Sequence, residues 1–349
     1  MPTIRDIAIK ANVSTATVSN VINGTAKVKD DTRARVLQAL AEIEVNRNND
    51  NKLEKEQNIL KSNVIGVITE DVCMFNTPKI INGICAAAHE AGYSTIISNL
   101  GITNGSENPS IDEVTCIQLA KSTVNLLLSK NLKGIIYVGC QSREIKHISS
   151  GYKTPFVYAY CYSNDNHAPS VIYDDENIAY QLIKYLTDKN HRNIGIIAGP
   201  EDSIHVRDRL SGYQRAVFES GILFNPNGIV YGDWENPQTG YMGVKKLLEK
   251  NITAVFCMND IIAGGVIDYA LENNIAIPKQ LSVVGFDNIE ASRAYFPKLT
   301  TVALPLDEIG RKSFYYLNQL ILDKNYVCDP NVFVTSCEII HRDSVDFAP

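Results

Sequence analysis

From Val64 onward the chain alternates short apolar runs with helical segments, and this alternation limits the fold more than any other feature. The runs are VIGVI (64–68), TIIS (95–98), GIIYVG (134–139), FVYAY (156–160), VIYD (171–174), IGIIAG (194–199), AVFCM (254–258) and LSVVGF (281–286). Most are β-branched and continuous rather than alternating, the pattern of parallel strands buried on both faces. Between them, segments such as 80–92 and 178–190 repeat their apolar residues at helical spacing. Strand and helix in alternation mean doubly wound parallel sheets. Eight such strands within 349 residues divide more naturally into two lobes than into one sheet. After Phe286 come a segment over 302–321 and two β-like pieces, NVFVT and CEIIH. One return of the chain cannot place all of these in one lobe, so several crossings are expected.

Residues 1–45 have helical periodicity only. Ile4, Ile7, Ala8 and Ala11 fall on one face, with Thr3 as N-cap and Asp6 three residues on, close to a capping box. Ser14 is placed to cap a second helix whose apolar face is Val18, Val21 and Ile22, and Asn23-Gly24 is placed to end it. A third helix carries Val36, Leu37, Leu40 and Ile43, with Asp30 and Asp31 near its N-terminus. Two helices separated only by residues 12–14 form a helix-turn-helix pattern. Its second helix turns Ala16, Asn20 and Asn23 outward and has Thr15 at its leading end. Thr15 and Ala16 suit a thymine methyl, and Asn20 suits bidentate pairing with adenine. Thr17, Asn23 and Thr32 are candidate phosphate donors.

Charge supports this division weakly. Residues 1–62 hold ten Lys/Arg against eight Asp/Glu, whereas the remainder holds 23 against 31. With 45% hydrophobic and 21% charged residues, the chain is no disordered or collagenous protein. No apolar run reaches the roughly 18 residues of a membrane span, and MPTIRDIAIKANVS is no secretory leader, so a cytoplasmic location is expected. The eight cysteines are scattered without C-x-x-C spacing, as reduced thiols are. No P-loop, zinc-protease pattern or G-x-S-x-G elbow occurs, so no enzyme, cofactor or metal site is expected.

The segment TIRDIAIKANVSTATVSNVINGTAKVKDDTRARVLQALAEI resembles the headpiece of the lactose-repressor-type (LacI/GalR) family of bacterial transcription regulators. The resemblance runs on through HEAGY, VIYDDENIAYQLIKYL, HRNIGIIAGP, RLSGY, GDW, FCMNDIIAGG, SVVGFDN, FPKLTTV and IIHRDS. It implies a helix-turn-helix headpiece (1–45), a linker or hinge (46–62) and a two-lobed, periplasmic-binding-protein-like α/β domain (63–349). The first lobe is expected at about 63–161 and 291–323, and the second at about 162–290 and 324–349. Thr15, Ala16 and Asn20 match the family's base-reading positions. Many members carry arginine at the position of Asn20, so a different base preference is expected there.

The linker departs from the family's wording. Arg47 replaces a proline before Asn48, and Glu54 takes the place of the leucine that wedges into the minor groove. Either the register shifts and Leu53 does the wedging, or the operator is bent less. A flexible Asn-rich tether is the alternative to a hinge helix.

In the body, the resemblance implies an effector cleft between the lobes. Arg209 and Asp287 match the family's ligand-binding arginine and aspartate, and Trp234 and Asn259 match ligand-side positions. His205 stands where a small hydroxyl residue is frequent, and Phe75 and Asn76 follow the first strand. Asp260 reads as structural support at a strand end. Tyr160 stands where sugar-binding members commonly have aspartate, and Leu304 where some have a polar contact. A more aromatic and less acidic pocket is therefore expected, for a small effector such as a sugar or its derivative. The implied partners are palindromic operator DNA and a second copy of the chain, since one helix-turn-helix reads only a half-site. Release from DNA on effector binding is expected, with carbohydrate-utilisation genes as targets. A protein co-effector, or a solute-binding role without DNA, are the competing readings.

Overall fold

The structure is a computed structural model that describes residues 3–25, 28–42, 63–102, 113–164, 168–329 and 331–349. It divides into two compact units, Met1–Asn63 and Val64–Pro349. Ile43 and the linker, with Arg47, Asn48, Leu53 and Glu54, lie outside the described residues.

The first unit contains α1 (Ile4–Ala11), α2 (Thr15–Asn23) and α3 (30–42). Thr3 and Asp6 form a reciprocal capping box on α1, and Asn12 ends the helix in the left-handed region. The Ser14 hydroxyl accepts the Thr17 N–H at 3.1 Å to start α2, and Gly24 closes it with φ 65°. The core is Ile7, Ala8, Ala11, Val18, Val21, Val36 and Ala39. Ile4, Ile22 and Leu37, expected on the inner faces, are instead 44%, 48% and 50% exposed. So small a unit has interior for only one narrow stripe per helix, and neighbours on the stripe's flank stay in water.

The second unit holds two parallel sheets. The strands are β1 (Val64–Thr69), β2 (Ser94–Asn99), β3 (Ile135–Val138), β4 (Phe156–Ala159), β5 (Ser170–Tyr173), β6 (Ile194–Ala198), β7 (Ile229–Tyr231), β8 (Ala254–Cys257), β9 (Ser282–Val284), β10 (Thr301–Ala303), β11 (Val332–Thr335) and β12 (Glu338–Ile340). The helices are α4 (Thr77–Glu90), α5 (Glu113–Leu128), α6 (Asp175–Asp188), α7 (Ile204–Glu219), α8 (Pro237–Leu248), α9 (Asp260–Glu272) and α10 (Leu306–Leu322). One sheet has the order β11-β5-β4-β3-β1-β2 and the other β7-β6-β8-β9, while β10 and β12 form an antiparallel pair. Both large sheets are covered on both faces, which accounts for the continuous apolar runs.

The chain passes between sheets three times: from β5 into α6, from β10 into α10, and from β11 into β12. Two expected lobe boundaries are corrected by this pairing. β5 and β11, assigned to the second lobe, are adjacent strands of the first sheet, with Val332 opposite Ser170. Residues 291–303, assigned to the first lobe, belong to the second. Thr300 bridges Val284, and Ala303 bridges Asp287. A local strand-then-helix pattern reads alike in either lobe, so only the pairing decides membership. β7, absent from the expected strands, is a three-residue edge strand with little burial.

All eight cysteines are free thiols. Among the described residues, no helix is long and apolar enough to cross a membrane.

Helices α4 and α10 meet backbone to backbone at Gly83 and Gly310. A Cβ on Gly83 would lie 2.2 Å from the Asp307 carbonyl oxygen, and one on Gly310 would lie 2.1 Å from that of Ile80. Both opposing atoms are backbone, so no side chain can swing aside to make room. Gly83→Ala and Gly310→Ala are each expected to destabilise this unit by about 1–3 kcal/mol through overpacking. Urea unfolding should show a lower midpoint at unchanged slope.

Candidate functional site

The headpiece presents the first candidate surface. Thr15, Ala16 and Asn23 are exposed on α2, and Asn20 and Thr17 are half-buried beside them. The Asn20 side-chain oxygen accepts the Thr25 hydroxyl at 3.0 Å. That bond uses one lone pair and holds the amide plane, leaving a second lone pair and the NH2 group for a base edge. Asn23 donates to the Ser19 hydroxyl at 3.2 Å. The Thr17 hydroxyl lies 2.9 Å from that of Ser14, so it is partly committed to the helix cap. Thr32 is half-buried in α3.

The second candidate is a cavity in the α/β unit. Its walls come from residues just past the carboxyl ends of strands in both sheets: Phe75 after β1, Cys140 after β3, Tyr160 after β4, Trp234 after β7, Asn259 after β8 and Asp287 after β9. Open α/β sheets bind ligands at this end, where connections leave a strand in opposite directions.

Arg209 organises the wall. It is 3% exposed on α7 and would be costly there without partners. Its Nε donates to Asp175 Oδ1 at 2.6 Å, its Nη1 donates to the Met258 carbonyl, and its Nη2 donates to the Tyr173 hydroxyl at 3.4 Å. The guanidinium carbon stacks 3.6 Å from the Phe286 ring centre. Asp175 also holds His205, whose Nδ1 lies 2.7 Å from Oδ2. Burial alone would raise the Asp175 carboxyl, but Arg209 and His205 hold it below the ordinary carboxylate range. Asp175 was not among the expected site residues. Its signal in the sequence was a carboxylate pair at the end of a strand, of which Asp174 caps α6 through the Asn177 N–H at 2.9 Å.

Asp287 faces this arginine from the other side, with Oδ1 3.7 Å from Nη2 and no hydrogen-bond partner for that oxygen. Burial pushes its carboxyl up to about 6 despite the pull of Arg209. The loop is set by its supports. Asp287 and Asn288 have φ of 95° and 49°, a left-handed pair that must be held. Asp260 accepts the Ile289 N–H at 2.9 Å and the Thr301 hydroxyl at 2.5 Å, and Arg342 donates to the Asn288 side chain at 2.6 Å. Asp260 touches the cavity but serves as this brace.

Of the eight residues expected at the effector site, Phe75, Tyr160, His205, Arg209, Trp234, Asn259 and Asp287 line the cavity. Asn76 does not: it is buried and donates to the Cys140 carbonyl at 3.4 Å. Asn259 lines the cavity with both polar atoms committed, accepting the Ile262 N–H and donating to the Trp234 carbonyl, each at 2.8 Å. The Trp234 ring lies against the Gly199 backbone, where a Cβ would come within 2.2 Å of it. Tyr160 is buried in the left-handed region at φ 63°, with its hydroxyl 3.4 Å from that of Tyr173. Leu304 packs against the core instead of the cavity. The wall is aromatic, as expected from Tyr160, but not poor in acid, because Glu235 and Asp260 join Asp287. Among the described residues, no group of three or more His, Cys, Asp or Glu is placed to hold a metal ion.

Burial pushes the Asp260 carboxyl up to about 8, against the pull of the Thr301 hydroxyl. A carboxyl that keeps its proton longer folded than unfolded favours the folded state at low pH. Asp260 and Asp287 therefore make stability fall as pH rises from about 4 through about 8. Urea unfolding of Asp260→Asn across that range should show a flatter decline than the parent chain.

Comparison with known proteins agrees with this anatomy. Residues 3–48 match the family described as bacterial regulatory proteins, lacI family, and residues 183–345 match the periplasmic binding protein-like domain. The HTH-type transcriptional repressor CytR of Escherichia coli (strain K12) is 31% identical over 350 residues, spanning 99% of this chain and 97% of the relative. A putative LacI-family transcriptional regulator from Rhizobium etli superposes with a TM-score of 0.69 at 27% identity, covering 82% of this chain and 100% of that one. The lac repressor dimer bound to operator and the anti-inducer ONPF has the same fold, with a TM-score of 0.66, 24% identity and 99% coverage of both chains. This chain belongs to the LacI family and is a DNA-binding transcriptional repressor.

Proposed function

We propose that the chain acts as a homodimer on a palindromic operator, repressing carbohydrate-utilisation genes until a small effector enters the cavity and releases it. The effector is a sugar or a sugar-containing compound. The observation that carries this reading is the cavity at the carboxyl ends of both sheets. There Asp287 offers a buried oxygen without a hydrogen-bond partner beside Arg209, anchored at three of its five N–H groups, and the Trp234 side chain. A polyhydroxylated ring supplies donors for the first and an apolar face for the last.

Thr15, Ala16 and Asn20 read base edges, and Thr17, Asn23 and Thr32 position the headpiece on phosphates. Leu53 is the minor-groove wedge. One headpiece covers one half-site, so specific binding needs a two-fold pair. The lac repressor, of the same fold, is a dimer on its operator. Effector binding alters the angle between the lobes. A coupling of about 1–3 kcal/mol changes operator affinity by roughly 5–150-fold. The site of action is the cytoplasm.

Selection of the intact chain on a pool of random duplexes should enrich a palindrome. Asn20→Ala should cost about 1–3 kcal/mol and relax preference at one base step per half-site. Enriched sequences without two-fold symmetry overturn the dimeric reading. An Asn20→Ala variant with unchanged preference removes Asn20 from base readout.

A further inference from the structure

We infer that the cleft selects an unphosphorylated, non-anionic effector and excludes phosphate esters and other anions. The inference rests on the proposed effector site and narrows what that site takes.

Capture of an anion by protein side chains needs free, convergent donors. Arg209 is the one Lys or Arg among the described residues lining the cavity, and its fork is already turned inward. Three of its five N–H groups serve Asp175, the Met258 carbonyl and the Tyr173 hydroxyl, and Nη2 also lies 3.7 Å from Asp287. His205 is committed to Asp175 through Nδ1. The charged groups left to face the cavity are acceptors, Asp287 with an unpartnered oxygen and Glu235 exposed at the rim, beside the neutral amide of Gln141. Asp175 stands behind Arg209 as a further carboxylate. A phosphate ester brings close to two negative charges and mostly acceptor oxygens. It would meet like charge where it needs donors.

Helix N-termini can offset such a deficit, and α4, α7 and α9 all begin beside this cavity. The α9 terminus is already served, with Asn259 capping Ile262 N–H and Asp260 on the first turn. The α4 and α7 termini each contribute about half a positive charge. Together they match only one of the two carboxylates, Asp287 and Glu235, that face the cavity. A neutral ring bearing hydroxyl or amine donors satisfies Asp287 and Glu235 and needs nothing further from Arg209.

The chain has a single tryptophan, and it is Trp234 in the cavity wall. Its fluorescence therefore reports the local potential directly. Iodide, caesium and acrylamide quenching of the intact chain would be compared with quenching of N-acetyltryptophanamide. Relative to caesium and to that free standard, iodide quenching should be reduced roughly threefold at about 0.1 M ionic strength. Glu235→Gln, at the exposed rim, and Asp287→Asn should each restore part of it. Iodide quenching equal to or above the free standard overturns the inference.

A second arm titrates Trp234 fluorescence with hexoses, pentoses and nucleosides, each paired with its phosphate ester. The uncharged member of any binding pair should bind at least tenfold tighter. An ester that binds as tightly or tighter overturns the inference. If iodide is excluded but no member of any pair binds, the charge selection stands and the sugar-effector reading fails.

Discussion

The buried pair of Asp175 and Arg209 is the interaction on which the rest of the cleft depends. Asp175 begins α6 immediately after the chain leaves β5 of the first sheet, and Arg209 lies on α7 against the second. The pair thus ties a crossing segment to a lobe. Neither charge is tolerable alone at this depth, because an ion left without its partner costs several kcal/mol. Together they hold His205 and the Tyr173 hydroxyl, and through Tyr173 they reach Tyr160. One guanidinium therefore aligns the side chains that form one side of the cavity.

A second group of contacts shapes the opposite side. Asp287 sits on a left-handed turn that no local preference of Asp287-Asn288 would hold by itself. Asp260 braces the turn from the start of α9, and Arg342 braces it from the final segment of the chain. Pieces from distant stretches of sequence thus meet at the carboxyl ends of two sheets. The fold provides the place, and these braces provide the geometry.

Much of this was legible in sequence. The continuous apolar runs marked most strands of both parallel sheets, and Thr3, Asp6 and Ser14 marked the headpiece caps. Motif likeness pointed to Arg209 and Asp287. What escaped has a common cause. The role of Asp175 arises from packing between residues 34 apart, which no periodicity records. The committed hydrogen bonds of Asn259 and the burial of Asn76 likewise follow from where other elements lie. The places of β5 and β11 depended on strand pairing across 160 residues or more, as in the bond between Thr335 and the Ile172 carbonyl. Inner and outer residues of the headpiece were misread where a small core ran out of room, as at Ile22 and Leu37.

Effector action through this cleft is tested most directly by operator affinity, measured by fluorescence anisotropy, with and without an uncharged sugar-type compound that perturbs Trp234. Parent chain and Asp287→Ala would be compared on the same duplex. The compound should weaken binding of the parent chain by roughly 5–150-fold and leave the variant's affinity unchanged. An equal change in both proteins would contradict action through this cleft, because the effector would then be acting from somewhere else.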